Sequence, residues 1–141
     1  MLLRVIMDTN VLVSALRSRG GASFRMLSLI DSGKFSLCVS VPLVLEYEAA
    51  TKRQSRATGL SSADIDAIID YICLVAEKHK VYYLWRPLLK DPNDDMVLEL
   101  AVASNAEAIV TYNKADFKGS EHFGIKAISP RELLTQIGEI T

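Results

Sequence analysis

The acidic residues of this chain stand where short apolar runs end. The apolar run at residues 5–7 stops at Asp8, which Thr9 and Asn10 follow at once. A buried strand that ends at a carboxylate carries that charge to the C-terminal edge of a sheet, where open α/β folds bind their ligands. Further acids follow other apolar segments, at Glu46, at Asp91, Asp94 and Asp95, and at Asp116.

Carboxylates gathered from distant parts of a chain repel one another unless a divalent cation neutralises them, so the pattern predicts a metal site. Oxygen ligands favour Mg²⁺ or Mn²⁺, and the absence of clustered His and Cys in the sequence disfavours zinc. A metal held by carboxylates activates water and neutralises phosphoryl oxygens. We therefore interpret the chain as a metal-dependent enzyme that acts on phosphodiesters.

Composition limits the alternatives. A chain of 141 residues, half of them hydrophobic, fits one compact domain over residues 1–141. With 16 basic and 17 acidic residues the net charge is −1, which argues against a strongly cationic nucleic-acid binder but does not exclude RNA.

The cysteines and the hydropathy indicate a compartment. Cys38 and Cys73 form neither a zinc motif nor a disulfide framework, so we expect free thiols, and we expect no partners for His79 and His122. No run approaches the roughly 18 apolar residues of a membrane span. We expect a soluble, cytoplasmic protein without a membrane partner.

Strands and helices alternate along the predicted chain. Strands are expected at residues 2–7, 35–41, 81–85, 108–111 and 126–128. Helices are expected at residues 9–16, 23–30, 42–52, 61–76, 95–105 and 130–137, with a capping box at Ser61 and Asp64 and with Asp94 as the cap of the fifth helix. This alternation predicts a parallel sheet covered by helices on both faces.

Four motifs in this order resemble a PIN domain, and in particular the small VapC-like toxins of type II toxin–antitoxin systems. The motifs are residues 8–15 (DTNVLVSA), 46–48 (EYE), 91–95 (DPNDD) with 98–101 (LELA), and 111–117 (TYNKADF). The resemblance implies a three-layer α/β/α sandwich with a central parallel sheet and a ribonuclease dependent on Mg²⁺ or Mn²⁺. It also implies a homodimer and a small antitoxin as partners.

The resemblance assigns the acidic site. Asp8 matches the first carboxylate of the family, Glu46 the second and Asp95 the third, while Glu48 and Asp94 remain as neighbouring alternatives. Asp116 matches the fourth, which could also be an ordinary turn residue. Many relatives carry a further Asp at the position of Asn113, so this chain departs from the pattern there and its second metal site is in doubt.

Roles follow from these matches. Asp8 and Asp95 are the expected direct metal ligands, Glu46 a ligand or a base that positions water, and Asp116 an outer ligand, for either one ion or two. Thr9, Asn10, Asp94, Thr111 and Asn113 are expected to support them. Several basic residues are candidates to contact phosphates, of which Arg17, Arg19 and Lys114 are preferred over Lys52, Arg53, Arg56 and Lys118.

The primary hypothesis is an endoribonuclease that cuts single-stranded or loop RNA and is inhibited by a small antitoxin. Asn113 raises an alternative, an RNA-binding or regulatory PIN module without turnover. A third interpretation is a metal-dependent phosphatase. Such enzymes often carry a second Asp two residues after the first, where this chain has Asn10.

Overall fold

Five parallel strands form a sheet in the computed structural model, which describes residues 2–81, 89 and 91–141. The sheet order is β3-β2-β1-β4-β5. The strands are β1 (Leu3–Met7), β2 (Phe35–Val39), β3 (Glu77–Lys78), β4 (Ala108–Val110) and β5 (Lys126–Ile128). The arrangement confirms the predicted PIN-like α/β/α fold with a central parallel sheet.

Helices connect the strands. They are α1 (Thr9–Arg17), α2 (Ala22–Ser28), α3 (Val41–Arg53), α4 (Ser55–Thr58), α5 (Ser62–Val75), α6 (Pro92–Ala103) and α7 (Pro130–Gln136), with 3₁₀ turns at Lys114–Phe117 and Ser120–Phe123. The predicted capping box is confirmed, because Ser61 and Asp64 exchange hydrogen bonds at the start of α5. Within the described residues, no helix combines the length and apolar character needed to cross a membrane.

Two predictions about local structure are corrected. Helix α6 begins before the predicted residue 95, because Asp91 rather than Asp94 caps it and Pro92 occupies its first turn. The strand β3 was not predicted, since its two polar residues carry no apolar signal. The strand predicted at residues 81–85 falls almost entirely outside the described residues.

The core surrounds β1, which lies at the centre of the sheet. Val5, Ile6 and Met7 are completely buried, and β1 pairs with β2 on one side and β4 on the other. The chain moves from β1 outward to β2 and β3, then crosses to β4 on the opposite side. The carboxyl ends of β1 and β4 therefore form the switch point of the sheet, where α/β folds bind ligands.

Candidate active site

Asp8 lies at this switch point. It directly follows β1, its backbone N–H donates to the carbonyl of Val110 in β4 at 2.9 Å, and only 7% of the residue is exposed. Its Oδ1 accepts a hydrogen bond from the backbone N–H of Thr9 at 2.8 Å and so caps α1. The same residue thus caps α1 and lies at a position suited to binding.

Polar side chains hold the Asp8 carboxylate in one orientation. The buried hydroxyl of Thr111 donates to Asp8 Oδ2 at 2.8 Å, and Asn10 Nδ2 donates to the same oxygen at 3.3 Å. Thr111 Oγ1 also accepts from the backbone N–H of Asn113 at 3.0 Å and from Asn10 Nδ2 at 3.4 Å. The predicted supporting residues Asn10 and Thr111 thus join the ends of β1 and β4.

Other carboxylates surround Asp8. Burial raises the pKa of Asp8, and the negative charges of Asp116 and Asp91 raise it further, against the lowering effect of the hydrogen bonds from Thr111 and Thr9. Burial raises the pKa of Asp94 to about 7, with added repulsion from Asp8, Asp116, Asp91 and Asp95. We call Asp8, Asp91, Asp94 and Asp116 the acidic cluster.

The acidic cluster is not neutralised by the protein as far as the structure describes it. None of its four carboxylates forms an ion pair with a basic side chain among residues 2–81, 89 and 91–141. A set of hard oxygen donors in mutual repulsion fits a divalent cation such as Mg²⁺ or Mn²⁺. The donor set therefore agrees with the cation that the sequence predicts.

The start of α6 separates the two candidates for the third carboxylate. Asp94 is partly exposed and responds most, after its own burial, to the charge of Asp8. Asp95 is buried, and its Oδ1 accepts a hydrogen bond from the backbone N–H of Leu89 at 3.0 Å. This environment favours Asp94, the alternative left open by the sequence, as the carboxylate that faces Asp8. A direct metal contact for Asp95 remains a prediction.

Glu46 lies beside the start of α1. It lines a cavity of about 640 Å³ together with Thr9, Asn10, Arg17 and Arg53. Glu48, the alternative to Glu46, does not line this cavity, and its carboxylate lies 3.8 Å from Lys52 Nζ.

Tyr47 fixes the position of α3 relative to β1. Its buried hydroxyl donates to the carbonyl oxygen of Met7, the residue before Asp8. Burial raises the pKa of Tyr47, and the charge of Asp8 adds to this effect. Glu46, next to Tyr47 in the chain, is thereby held near the carboxyl end of β1. The sequence did not identify Tyr47 as part of this arrangement, because a lone aromatic in a helix is ordinarily a core residue.

The loop after β4 supplies Asp116 and Asn113. Asp116 is exposed on the 3₁₀ turn Lys114–Phe117, and its charge raises the pKa values of both Asp8 and Asp94. Asn113 is also exposed, and its backbone carbonyl accepts from the N–H of Asp116 at 3.0 Å. Asn113 therefore shapes the turn that carries Asp116, but it brings no charge to the acidic cluster.

The basic residues are distributed unevenly around the site. Arg17 and Arg53 line the cavity with Glu46, and Arg53 Nη2 lies 3.4 Å from Glu46 Oε1. Arg19 is exposed in the loop after α1. Lys114 forms an ion pair with Glu132 at the start of α7. Arg53, which the sequence ranked lower, thus lines the cavity, whereas Lys114 does not.

The expectation that His79 has no partner is wrong. Cys38, Glu77 and His79 each offer a metal-ligating atom within 4.8 Å of the other two, and His79 Nε2 lies 2.7 Å from Glu77 Oε1. Linear spacing concealed this group, because Cys38 lies on β2 and the other two lie on or beside its neighbour β3. It is separate from the acidic cluster.

Comparisons with known proteins agree with the fold. The sequence model of a family described as "PIN domain" matches residues 4–115. The chain is similar to the crystal structure of VapBC2 from Rickettsia felis bound to a DNA fragment from their promoter, with a TM-score of 0.63 and 16% identity over 89% of this chain and 98% of that chain. A comparison with curated proteins gave no match. The family match includes Asp8, Glu46, Asp94 and Asp95, and it ends one residue before Asp116.

Proposed function

The chain belongs to the PIN domain family, a family of nucleases, and we propose that it is an endoribonuclease dependent on Mg²⁺ or Mn²⁺. The observation that carries the proposal is the acidic cluster at the β1–β4 switch point, where the carboxylates repel one another around the oriented side chain of Asp8. Such repulsion destabilises the empty site and so favours occupation by a cation.

Asp8, Asp94 and Asp116 are the proposed ligands, with Glu46 as a ligand or as the base that positions the attacking water. Asp95 keeps its proposed role, either as a further ligand or through its contact with the residues before α6. When bound, the divalent cation supplies Lewis acidity toward the phosphate and lowers the pKa of water. Thr111 and Asn10 hold Asp8 so that its carboxylate needs little reorganisation when it engages the cation.

The proposed substrate is single-stranded or loop RNA. Arg17 and Arg53 line the same cavity as Thr9 and Asn10, the two residues after Asp8. Guanidinium groups bind phosphate oxygens through paired N–H donors, so these side chains would hold the RNA backbone beside the acidic cluster. Arg19, exposed in the loop after α1, is a further candidate for the same role.

The proposed partners are a small antitoxin and a second copy of the chain, in a cytoplasmic toxin–antitoxin system. Val41 and Leu45 on α3 and Leu74 on α5 are large apolar residues that are mostly exposed. Exposed apolar side chains on two neighbouring helices fit a protein interface better than a free surface. This surface lies on the helix that also carries Glu46, so a bound partner could influence the site.

The decisive experiment is a titration of RNA cleavage with Mg²⁺ and Mn²⁺, comparing the native chain with Asp8→Asn. We expect cleavage only with the divalent cation, and its loss in the variant while circular dichroism shows a folded protein. Asp31→Asn is a matched control, because Asp31 is an exposed aspartate that follows α2, outside the acidic cluster. Full cleavage by a folded Asp8→Asn protein would overturn the proposal.

The alternative function, an RNA-binding module without turnover, is favoured by one observation. Asn113 contributes no charge at a position beside the acidic cluster, so the cation could be held too weakly for catalysis. The same titration distinguishes the two functions when RNA binding is measured in parallel. The binding module predicts a complex with RNA and no products at any concentration of either metal.

A further inference from the structure

A second group of metal-ligating side chains lies at the edge of the sheet. Cys38 on β2 stands opposite Glu77 on the outermost strand β3, and the backbone N–H of His79 donates to the carbonyl of Val39 at 2.9 Å. These contacts bring the thiol, the carboxylate and the imidazole within 4.8 Å of one another. The group is two strands away from the β1–β4 switch point.

Neighbouring polar groups orient these three side chains. Glu77 receives hydrogen bonds from Ser36 Oγ at 3.1 Å and from Arg4 Nε at 3.4 Å. Ser104 forms a hydrogen bond with the thiol of Cys38, which favours its thiolate form. Metal sites characteristically have such outer partners, which fix the direction of each ligand.

Access to the group is one-sided. Cys38 is completely buried, whereas 34% of the Glu77 side chain and 23% of the His79 side chain are exposed. A cavity of about 250 Å³ borders Glu77 and is lined also by Arg4 and Ser36. The carboxylate and the imidazole are therefore the solvent-facing members of the group, and the sulfur is its buried member.

Without a cation, the group is an incomplete arrangement of charges. Burial and the nearby charge of Glu77 raise the pKa of Cys38 to about 11, so its thiol stays protonated at neutral pH. Arg4 Nε lies 3.2 Å from Glu77 Oε1 and balances its charge. Burial tends to raise the pKa of Glu77, but hydrogen bonds from His79, Ser36 and Arg4 outweigh it and lower the pKa. An ordinary ion pair accounts for Arg4 and Glu77. The sulfur of Cys38, a core residue, lies within 4.8 Å of the ligand atoms of Glu77 and His79 in addition.

We propose that Cys38, Glu77 and His79 bind a borderline divalent cation of the Zn²⁺ type, with water as the fourth ligand. A set of one sulfur, one nitrogen and one oxygen donor suits Zn²⁺, and it does not suit Mg²⁺. The Cys38 thiol releases its proton to solvent as the bond between sulfur and metal forms. The cation takes the place of the hydrogen bond between His79 and Glu77. The thiolate and the carboxylate offset its two charges, and Arg4 stays beside Glu77 as a further positive charge.

Metal binding would stabilise a weakly paired part of the sheet. The strand β3 has only two residues, and it pairs with the described sheet through β2 alone. A metal bond between Cys38 and the pair Glu77 and His79 cross-links these strands through side chains. Zn²⁺ should therefore raise the unfolding temperature of the folded chain by mass action.

The test is a Co²⁺ titration of the reduced protein with excess Mg²⁺ present, followed by absorption. Mg²⁺ occupies carboxylate sites, while a charge-transfer band between thiolate and Co²⁺ reports a cysteine ligand specifically. We expect this band in the native chain and its displacement by Zn²⁺. Cys38→Ser should remove the band, and His79→Gln should weaken Co²⁺ binding about tenfold or more.

The second cysteine and the second histidine of the chain are matched controls. Cys73→Ser and His122→Gln should bind Co²⁺ like the native protein. Because Cys38 is buried, its variant could fail to fold, and in that case the partly exposed His79→Gln decides the outcome. Absence of the band in the native chain, or equal affinities for His79→Gln and His122→Gln, would refute the site. Neither result bears on RNA cleavage, so the two proposals fail independently.

Discussion

Thr111 donates its hydroxyl proton to Asp8 Oδ2 at 2.8 Å, although 103 residues separate them in the chain. Both residues are the first after a strand, and their strands are neighbours in the sheet. Thr111 has no exposed surface, and its oxygen also accepts two hydrogen bonds, from the backbone of Asn113 and from the side chain of Asn10. One hydroxyl therefore ties the Asp8 carboxylate to the loop that carries Asp116.

Replacing Thr111 with Val tests this link. Val keeps the shape but leaves Asp8, Asn10 and the N–H of Asn113 without their shared partner, so the free energy of unfolding should fall by about 1–3 kcal/mol. Cleavage and Mg²⁺ affinity should fall about 10–100-fold, because the carboxylate loses its orientation. Urea unfolding and metal-dependent kinetics measure both effects.

Thr135→Val provides the control for that substitution. Thr135 is exposed on α7, and its hydroxyl only donates to the carbonyl of Arg131. We expect near-native stability and cleavage from this variant. Equal losses in the two valine variants would contradict a special role for Thr111.

Asp94→Asn and Asp95→Asn should have opposite consequences. Asp94→Asn removes a charge that Asp8 and Asp116 repel, so the metal-free protein should become more stable while cleavage falls more than about 100-fold. Asp95→Asn weakens a charge-assisted hydrogen bond to the backbone of Leu89, which should reduce stability by about 1 kcal/mol, and cleavage should fall less than in Asp94→Asn.

Single-turnover cleavage and urea unfolding of both variants distinguish the two roles. If Asp95→Asn loses cleavage and Asp94→Asn retains it, the third ligand is Asp95, as the resemblance to the family implies. Both variants are isosteric with the native residues, so differences in packing should not obscure the comparison.

The contribution of Asp94 to the stability of the metal-free protein should fall as the pH rises from about 4 to about 7. The pKa of Asp94 is about 7 in the folded chain and lies near 3.9 in an unfolded one, so the folded state binds the extra proton across this interval. The stabilisation that this proton provides is complete at pH values below the unfolded pKa, and it is lost as the pH rises through the folded pKa. The raised pKa of Asp8 acts in the same direction.

Urea unfolding in the presence of a chelator, at several pH values across that interval, measures this dependence. Mg²⁺ should remove most of it by neutralising the carboxylates, and Asp94→Asn should reduce it without metal. An identical pH dependence in the native chain and in Asp94→Asn, both without metal, would contradict the repulsion in the acidic cluster.

Arg17→Gln and Arg53→Gln should weaken RNA binding and make it less sensitive to salt. If each guanidinium contacts one phosphate, each substitution should lower the slope of log affinity against log salt by about 0.7. Fluorescence anisotropy with labelled single-stranded RNA, in the Asp8→Asn background to prevent cleavage, provides the measurement. Arg25→Gln is the control, because Arg25 pairs with Glu139 and does not line the cavity.

Much of the fold follows from patterns that a sequence displays directly. Buried runs such as residues 5–7 and 108–110 mark the central strands, and the polar caps at Ser61 and Ser129 mark helix starts. Asp8 could be identified because it ends the first of these runs. Local signals of this kind depend on neighbouring residues in the chain, so they can be recognised without knowledge of the tertiary packing.

Other features depend on rotation and pairing that the sequence does not display. Asp91 caps α6, so both Asp94 and Asp95 lie within the helix. Successive residues on a helix point about 100° apart, so the position of the helix start determines which of the two faces β1. Glu77 and Lys78 form a strand only because β2 offers an edge. The meeting of Cys38 with Glu77 and His79 depends on that pairing and could not be predicted from spacing.

The pairing of β1 with β4 also determines when the active site can form during synthesis. A nascent chain that has not yet emerged beyond β4 carries Asp8 and Glu46 but has neither the hydroxyl of Thr111 nor the charge of Asp116. Contacts so distant in sequence form late in folding. The acidic cluster therefore cannot assemble on the ribosome before the chain beyond β4 has emerged, because Thr111 and Asp116 both follow that strand.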